Sequence, residues 1–284
     1  MVLLRPDPTF YPSPRLAMQA PPENLAYVAT LRTDGQPDGL AVVDLDPRSP
    51  TYSQVLTRVE VPYAGDEFHH FGWNACSSAL CPYAPHPFVE RRYLIVPGLR
   101  SSRIYVFDTN PANPRLVKVV EPEEVKGRSG YSRLHTVHCG PEGIYVSALG
   151  GAESDGPGGI LLLDHYDFSV LGRWEVDRGP QYLAYDFWWH LGHDVAVSSE
   201  WATPSLYEQG LRLEDVVNRR FGHRLHIWDL RRRRHLKALD LGPDYTDGPG
   251  AEARPRPHQG LRVRRGGGER PGPLQLRLAL APGR

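Results

Sequence analysis

Residues 103–121 read RIYVFDTNPANPRLVKVVE. Four apolar residues, Ile104 to Phe107, close on Asp108; a turn rich in Asn and Pro follows, and a second run of Leu and Val comes after it. This is a strand–turn–strand signature. It recurs in GLAVVDLDPRSPTYSQVLTRVEV (39–61), GILLLDHYDFSVLGRWEV (159–176) and RLHIWDLRRRRHLKALDL (224–241). The closing aspartates, Asp44, Asp108, Asp164 and Asp229, stand 64, 56 and 65 positions apart. An Asp at the end of a strand suits such a turn, because its carboxylate accepts backbone N–H groups two residues on.

Each unit is preceded by a further strand candidate: NLAYVATL (24–31), RRYLIVPG (91–98), GIYVSALG (143–150) and DVAVSSEW (194–201). Ahead of the last three lies one more short run, FHHFGWN (68–74), LHTVHC (134–139) or YLAYDFWW (182–189). A four-stranded antiparallel unit at this long period is the pattern of a β-propeller blade. A two-sheet sandwich would place turns every 8–12 residues without the long period. The expected fold is therefore all-β: an incomplete β-propeller of about four blades over residues 1–242. The one segment with helical character, SLYEQGLRLEDVVNRRFG (205–222), reads as a loop-helix inserted into the fourth unit.

After Leu241 the pattern stops. Residues 243–284 are dominated by Arg, Pro and Gly and contain no Lys, Phe or Trp. Such a stretch cannot bury enough apolar surface to offset chain entropy, so a disordered tail is expected. The abrupt change also fits an out-of-frame translation of GC-rich coding sequence. An intact alternative frame encoding more blades beyond codon 242 would support that reading, and its absence would remove it.

Lys and Arg total 33, as do Asp and Glu. This balance offers no electrostatic footprint for nucleic acid or an acidic membrane surface. The RRRR at 231–234 reads as a solvated hairpin loop. No apolar run approaches the roughly 20 residues of a membrane helix. The start, MVLLRPDPTFYPSPRL, lacks the apolar core of a secretory signal. Three cysteines, Cys76, Cys81 and Cys139, are too few for a disulfide framework. A cytoplasmic protein is expected.

The chemistry gathers in HHFGWNACSSALC (69–81) and LHTVHC (134–139). In a propeller the first strand of each blade lines the centre, so His69 or His70 could meet His135 or His138. Imidazoles with a nearby thiolate suit copper. Adjacent His69 and His70 point to opposite sides of a regular strand, so at most one would face inward. His135 and His138, three apart, also diverge unless a bulge intervenes. For each histidine the alternative is a loop or surface residue bonded to backbone. Cys76, beside two serines, could be an activated thiol or a buried small residue; Cys81 reads as a bystander and Cys139 as core. His190, His193, His223, His226 and His235 read as residues of turns and solvated faces. The six tryptophans read as packing between blades, and Asp186 as a turn residue or as part of an inward hydrogen-bond network.

The chain resembles the selenium-binding protein family, whose members include the methanethiol oxidases. The resemblance runs from about Pro12 to Leu241. It rests on VVDLDPRSPTYSQV, DEFHHFGWNACSS, RYLIVPGLRSSRIYVFD, LHTVHC, YDFWW and SSEWATP, the last followed by HRLHIWD, in this order. It implies a seven-bladed propeller of which this chain is roughly the first half, without the C-terminal His- and Cys-containing segments. It further implies a copper-dependent oxidation of methanethiol by O2 and water to formaldehyde, hydrogen sulfide and hydrogen peroxide. Selenium would bind at the CSS cysteine, here Cys76, which would also be the catalytic thiol. Where members often read CSSC this chain reads CSSALC, so a vicinal dithiol does not follow. The expected partners are a small thiol and O2. Two other readings stand beside this one: a non-catalytic propeller binding partners through its loops, and an inactive partial ring whose open blade edges self-associate.

Overall fold

A computed structural model describes residues 7–11, 13–75 and 86–242; Cys76, Cys81 and the expected tail over 243–284 lie outside them. The described residues form four antiparallel sheets taken in sequence order. Strands β1 (Leu25–Thr30), β2 (Pro37–Asp44) and β3 (Val55–Ala64) make the first. The second comprises β4 (Gly72–Trp73), β5 (Tyr93–Pro97), β6 (Ile104–Asp108) and β7 (Arg115–Val120). The third comprises β8 (Tyr131–Cys139), β9 (Ile144–Gly151), β10 (Gly159–Leu163) and β11 (Val170–Arg173). The fourth comprises β12 (Phe187–His190), β13 (Val195–Ser199), β14 (Arg224–Asp229) and β15 (Arg234–Asp240). This is the incomplete propeller expected from the repeat. Among the described residues the first sheet has three strands.

Alternation along the middle strands explains why the sheets stack. On β6, Ile104 and Val106 join a cluster shared with the third sheet, whereas Tyr105 and Phe107 join one shared with the first. On β10, Leu161 and Leu163 face the second sheet, and Ile160 and Leu162 face the fourth. Successive side chains point to opposite faces, so a strand between two neighbours is buried at every position. All five residues of β6 and all five of β10 are buried. Trp174 and Trp228 meet edge-on at 5.6 Å between the third and fourth sheets. Trp188 departs from the expected packing role, with 51% of its surface exposed; Trp201 lies outside the strands.

The four turn aspartates act as the repeat implied. Asp44 Oδ1 accepts the Asp46 N–H at 2.8 Å, Asp108 Oδ1 that of Asn110 at 3.0 Å, and Asp164 Oδ1 that of Tyr166 at 2.7 Å. Asp229 reaches one residue further, to Arg232 N–H at 2.8 Å. Asp108 also holds a two-pronged pair with Arg92, at 2.7 and 2.8 Å, and lies 3.0 Å from Arg115. The Arg92 hydrogen bonds hold its carboxyl below the usual range.

Between two strands of the fourth sheet a short 3-10 turn (Pro204–Leu206) and a helix (Leu213–Val217) form the expected insertion. A further helix, Pro122–Ser129, lies outside the strand pattern of the repeat but carries helix signals of its own. Pro122 opens it, Glu123 and Glu124 occupy its first turn, and Gly130 ends it at φ 70° in the left-handed region.

Two stability predictions follow from these contacts. Asp108→Ala should lower unfolding free energy by about 2–3 kcal/mol, since it strands Arg92 and opens a turn; Asp229→Ala, in the same turn position but only half-buried, should cost clearly less in the same urea titration. Glu175 is buried between the third and fourth sheets, with Oε2 accepting the Ile160 N–H at 3.2 Å. Burial raises its pKa from 4.5 to about 7. The folded state therefore keeps a proton that the unfolded chain releases, so the stability contributed by Glu175 should be greatest below pH 4.5 and be lost as pH rises towards 7. The fall should be by up to about 3 kcal/mol, and Glu175→Gln should flatten the profile.

Candidate metal centre

The first strands of successive sheets lie side by side, and the histidines sit where β4 meets β8. FHHFGWN forms only the two-residue strand β4, with Phe68 making an isolated bridge to Gly98. Glu67 takes a left-handed φ of 58°, and the Phe68 N–H donates to buried Asp38 at 2.9 Å. Phe68 is anchored in the apolar cluster between the first and second sheets. His69, His70 and Phe71 span the gap between this anchor and β4. Because they are not in a regular strand, His69 and His70 do not diverge: their ring centres lie 4.9 Å apart, tilted by 33°.

His135 reaches them through a bulge. Leu134 pairs with Ala148 and Val137 with Val146, so β8 carries one more residue than β9 across this interval. His135 and Thr136 both stand opposite Ser147, whose Oγ accepts the Thr136 N–H at 2.9 Å. Arg133, at φ 58°, donates its N–H to Ser102 Oγ of the second sheet at 2.8 Å. Gly72 then permits the contact between strands. A Cβ on it would lie 2.5 Å from the Val137 carbonyl oxygen.

The result is three imidazoles converging from two blades. One ligand nitrogen from each of His69, His70 and His135 can be chosen so that all lie within 4.8 Å of one another. The ring centres of His135 and His70 are 4.2 Å apart, and Tyr185 covers the His135 ring at 4.6 Å. His135 is buried, while His69 and His70 are open to solvent. Burial, reinforced by His70 and His69, drives the His135 pKa down to about 2; desolvation and His69 also lower that of His70. His135 Nδ1 lies 2.9 Å from Thr136 Oγ1. In the tautomer that donates to this hydroxyl, Nε2 presents its lone pair. Neutral imidazoles without a carboxylate among them fit copper, and the solvent side leaves room for a further ligand.

His138, the fourth ligand candidate, is not among the three. The bulge leaves it outside the group, edge-on to Trp188 at 4.7 Å, with Phe187 and Trp189 alongside. Its Nε2 is 3.9 Å from Asp186 Oδ1, and desolvation lowers its pKa. Cys76, expected to bind selenium and to act as the thiol, lies outside the described residues. Cys139 is buried, as expected.

Several residues at the site went unnoticed in the sequence. Gly72 and Thr136 flank the histidines, and Tyr185 sits in the YDFWW motif beside the Asp186 that drew notice. His226 was expected on a solvated face but is fully buried, between Glu200 Oε1 at 3.0 Å and His235 Nε2 at 2.9 Å. It shares the inward face of β14 with Trp228, two positions on.

The profile of the 56 kDa selenium-binding protein family (SBP56) matches residues 4–257. A methanethiol oxidase of Xenopus laevis is 45% identical over 240 residues, 82% of this chain and 50% of that protein. Selenium-binding protein 3 of Arabidopsis thaliana is 42% identical over 239 residues, covering 82% of this chain and 49% of its own. The crystal structure of a hypothetical selenium-binding protein from Sulfolobus tokodaii superposes with a TM-score of 0.78 at 62% identity, over 84% of this chain and 53% of that one. The chain thus spans about half the length of the curated relatives it matches. With strands, motifs and family profile in agreement, the chain belongs to the selenium-binding protein family, SBP56.

Proposed function

We propose that this chain carries the histidine half of a copper site that oxidises methanethiol with O2 and water to formaldehyde, hydrogen sulfide and hydrogen peroxide. The observation that carries this reading is the convergence of His69, His70 and His135. The methanethiol oxidase names of relatives at 40–45% identity support the substrate class. Copper held there would supply one-electron redox chemistry and affinity for the substrate sulfur. The chain's own residues prepare the donors. Burial keeps His135 unprotonated at neutral pH, Thr136 Oγ1 fixes its ring, and Tyr185 shields its outer face from water. The two exposed imidazoles leave an approach for a small thiol. His138 and Asp186 lie beside this approach, where a proton could be relayed. To Cys76 we assign the selenium-binding and thiol role that family membership implies.

The purified chain should retain copper near one equivalent, with peroxide release from methanethiol weak or absent. A metal-free protein would sink the copper reading; a copper-loaded but inert one would place the oxidase chemistry beyond these residues. His135→Ala should abolish copper retention, whereas His138→Ala should keep it. Gly72→Ala removes no ligand but forces β4 off β8, and should weaken copper binding roughly tenfold to a hundredfold, as loss of a positioning contact does. Copper content by mass spectrometry and a competitive chelator titration check all three.

A further inference from the structure

The fourth unit carries TPSLYEQG (203–210) between β13 and β14, where a plain blade would turn directly. Local chemistry shapes this insertion. Pro204 opens its 3-10 turn, the Tyr207 and Glu208 N–H groups donate to the Pro204 carbonyl at 3.2 and 3.0 Å, and Gly210 follows at φ 89°. The Ser205 N–H donates to Asp155 Oδ1, in the loop between β9 and β10, at 2.8 Å. The insertion is thus moored to the third blade.

From there Glu208 reaches both sources of histidine. Its carboxylate accepts from Arg133 Nε, and its main-chain carbonyl accepts from Arg100 Nη1 at 3.2 Å; Arg100 Nε in turn donates to the Glu67 carboxylate. Glu67 stands two residues before His69, and Arg133 two residues before His135. Both have left-handed backbone, each at φ 58°. A residue with a Cβ is strained in that conformation and keeps it only where its surroundings over-determine it. The main chains are held by Leu99 N–H on the Glu67 carbonyl at 3.1 Å and by Ser102 Oγ on the Arg133 N–H. Glu208 secures the two side chains from one point. Its own side chain is 19% exposed and that of Arg133 23%, so the pair is only partly open to screening.

A stack of rings leads from the same segment to His135. Tyr207 lies on Trp201 at 4.7 Å, tilted by 25°; Trp201 meets Tyr185 at 5.3 Å, and Tyr185 covers His135. The insertion therefore backs His135 through its ring as well as through its main chain.

We propose that Glu208 is a positioning residue for the His69–His70–His135 centre: by holding Arg133 and, through Arg100, Glu67, it fixes the two backbone turns that aim the histidines of the second and third blades at one another. It acts through these residues and not on a ligand nitrogen. The metal in this proposal rests on the copper reading above; the geometry does not. An amide oxygen in the same place accepts from Arg133 as a carboxylate oxygen does, so Glu208→Gln keeps the tie and Glu208→Ala cuts it.

Two readouts on the full chain test this. In metal-free protein carrying isotope-labelled histidine, at a pH where the imidazoles are neutral, Glu208→Ala should shift the ring resonances of His69, His70 and His135. It should leave that of His165, held on the Asn74 carbonyl, in place. With copper(II) titrated against a competing chelator, Glu208→Ala should bind about tenfold to a hundredfold more weakly, as loss of an outer contact commonly does. Glu208→Gln should stay close to wild type in both. Asp108→Ala separates positioning from stability: it loosens the second blade at the Tyr93 end of β5, away from the Phe68–Gly98 bridge, and should leave both readouts unchanged. Should Glu208→Ala fail to fold, Arg100→Ala, at a half-exposed side chain, decides by shifting the His69 and His70 resonances. Unmoved histidine resonances in the deciding variant, or an equal loss of copper affinity in Glu208→Gln or Asp108→Ala, would overturn the proposal. A wild type that takes up no copper removes the copper reading alone, and the metal-free resonances still decide this one.

Discussion

The close approach of two backbones governs this molecule's chemistry. Where β4 crosses β8, no atom can stand between Gly72 and the Val137 carbonyl. The histidines preceding Gly72 can therefore reach one that sits in the bulge of β8. A side chain at position 72 would separate the second and third blades by the width of a methyl group, and three imidazoles that now share one volume would separate with them. The bulge matters equally. In a regular strand His135 would alternate with Leu134 and Thr136 in strict register with β9; the extra residue turns it out of the ladder and towards the neighbouring blade.

Everything around this contact is rigid because the blades are buried on both faces. Strands such as β6 and β10 contribute side chains to two separate apolar clusters, one on each side. Movement of one sheet would disturb both interfaces, and close-packed interiors resist that. The polar anchors near the site are also buried. Asp38 holds the Phe68 N–H, and Asp66 accepts from Tyr105 Oη at 2.8 Å. The loop that bears His69 and His70 is thus pinned by these anchors at its N-terminal end and by β4 at the other, while its middle remains open to solvent.

The two histidine groups differ in what their surroundings make of them. At positions 69, 70 and 135 the rings meet one another and Tyr185 and stay open on one side. At 86 and 165 the rings are instead held against backbone carbonyls. The same side chain serves both because its two nitrogens act independently: what one bonds to decides what the other can do.

The fold was legible in the sequence because blade geometry repeats. An apolar run, an aspartate that caps the turn and a second run report local periodicity and local turn chemistry, and both are properties of neighbouring residues. Asp44, Asp108 and Asp164 accept the N–H two residues on for that reason. The short helix at Pro122 was equally local and could have been read from its Pro and Gly. The site was only partly legible. That histidines would gather near the first strands of adjacent blades followed from the repeat; that His69 and His70 both meet His135 while His138 does not depended on a left-handed residue at Glu67 and an extra residue in β8. His226 was misjudged for the same reason, since burial depends on which face a neighbouring sheet covers. Order along the chain determines elements. Only the packing of one sheet on the next decides which side chains share a space, because that choice is made by contacts between residues more than sixty positions apart.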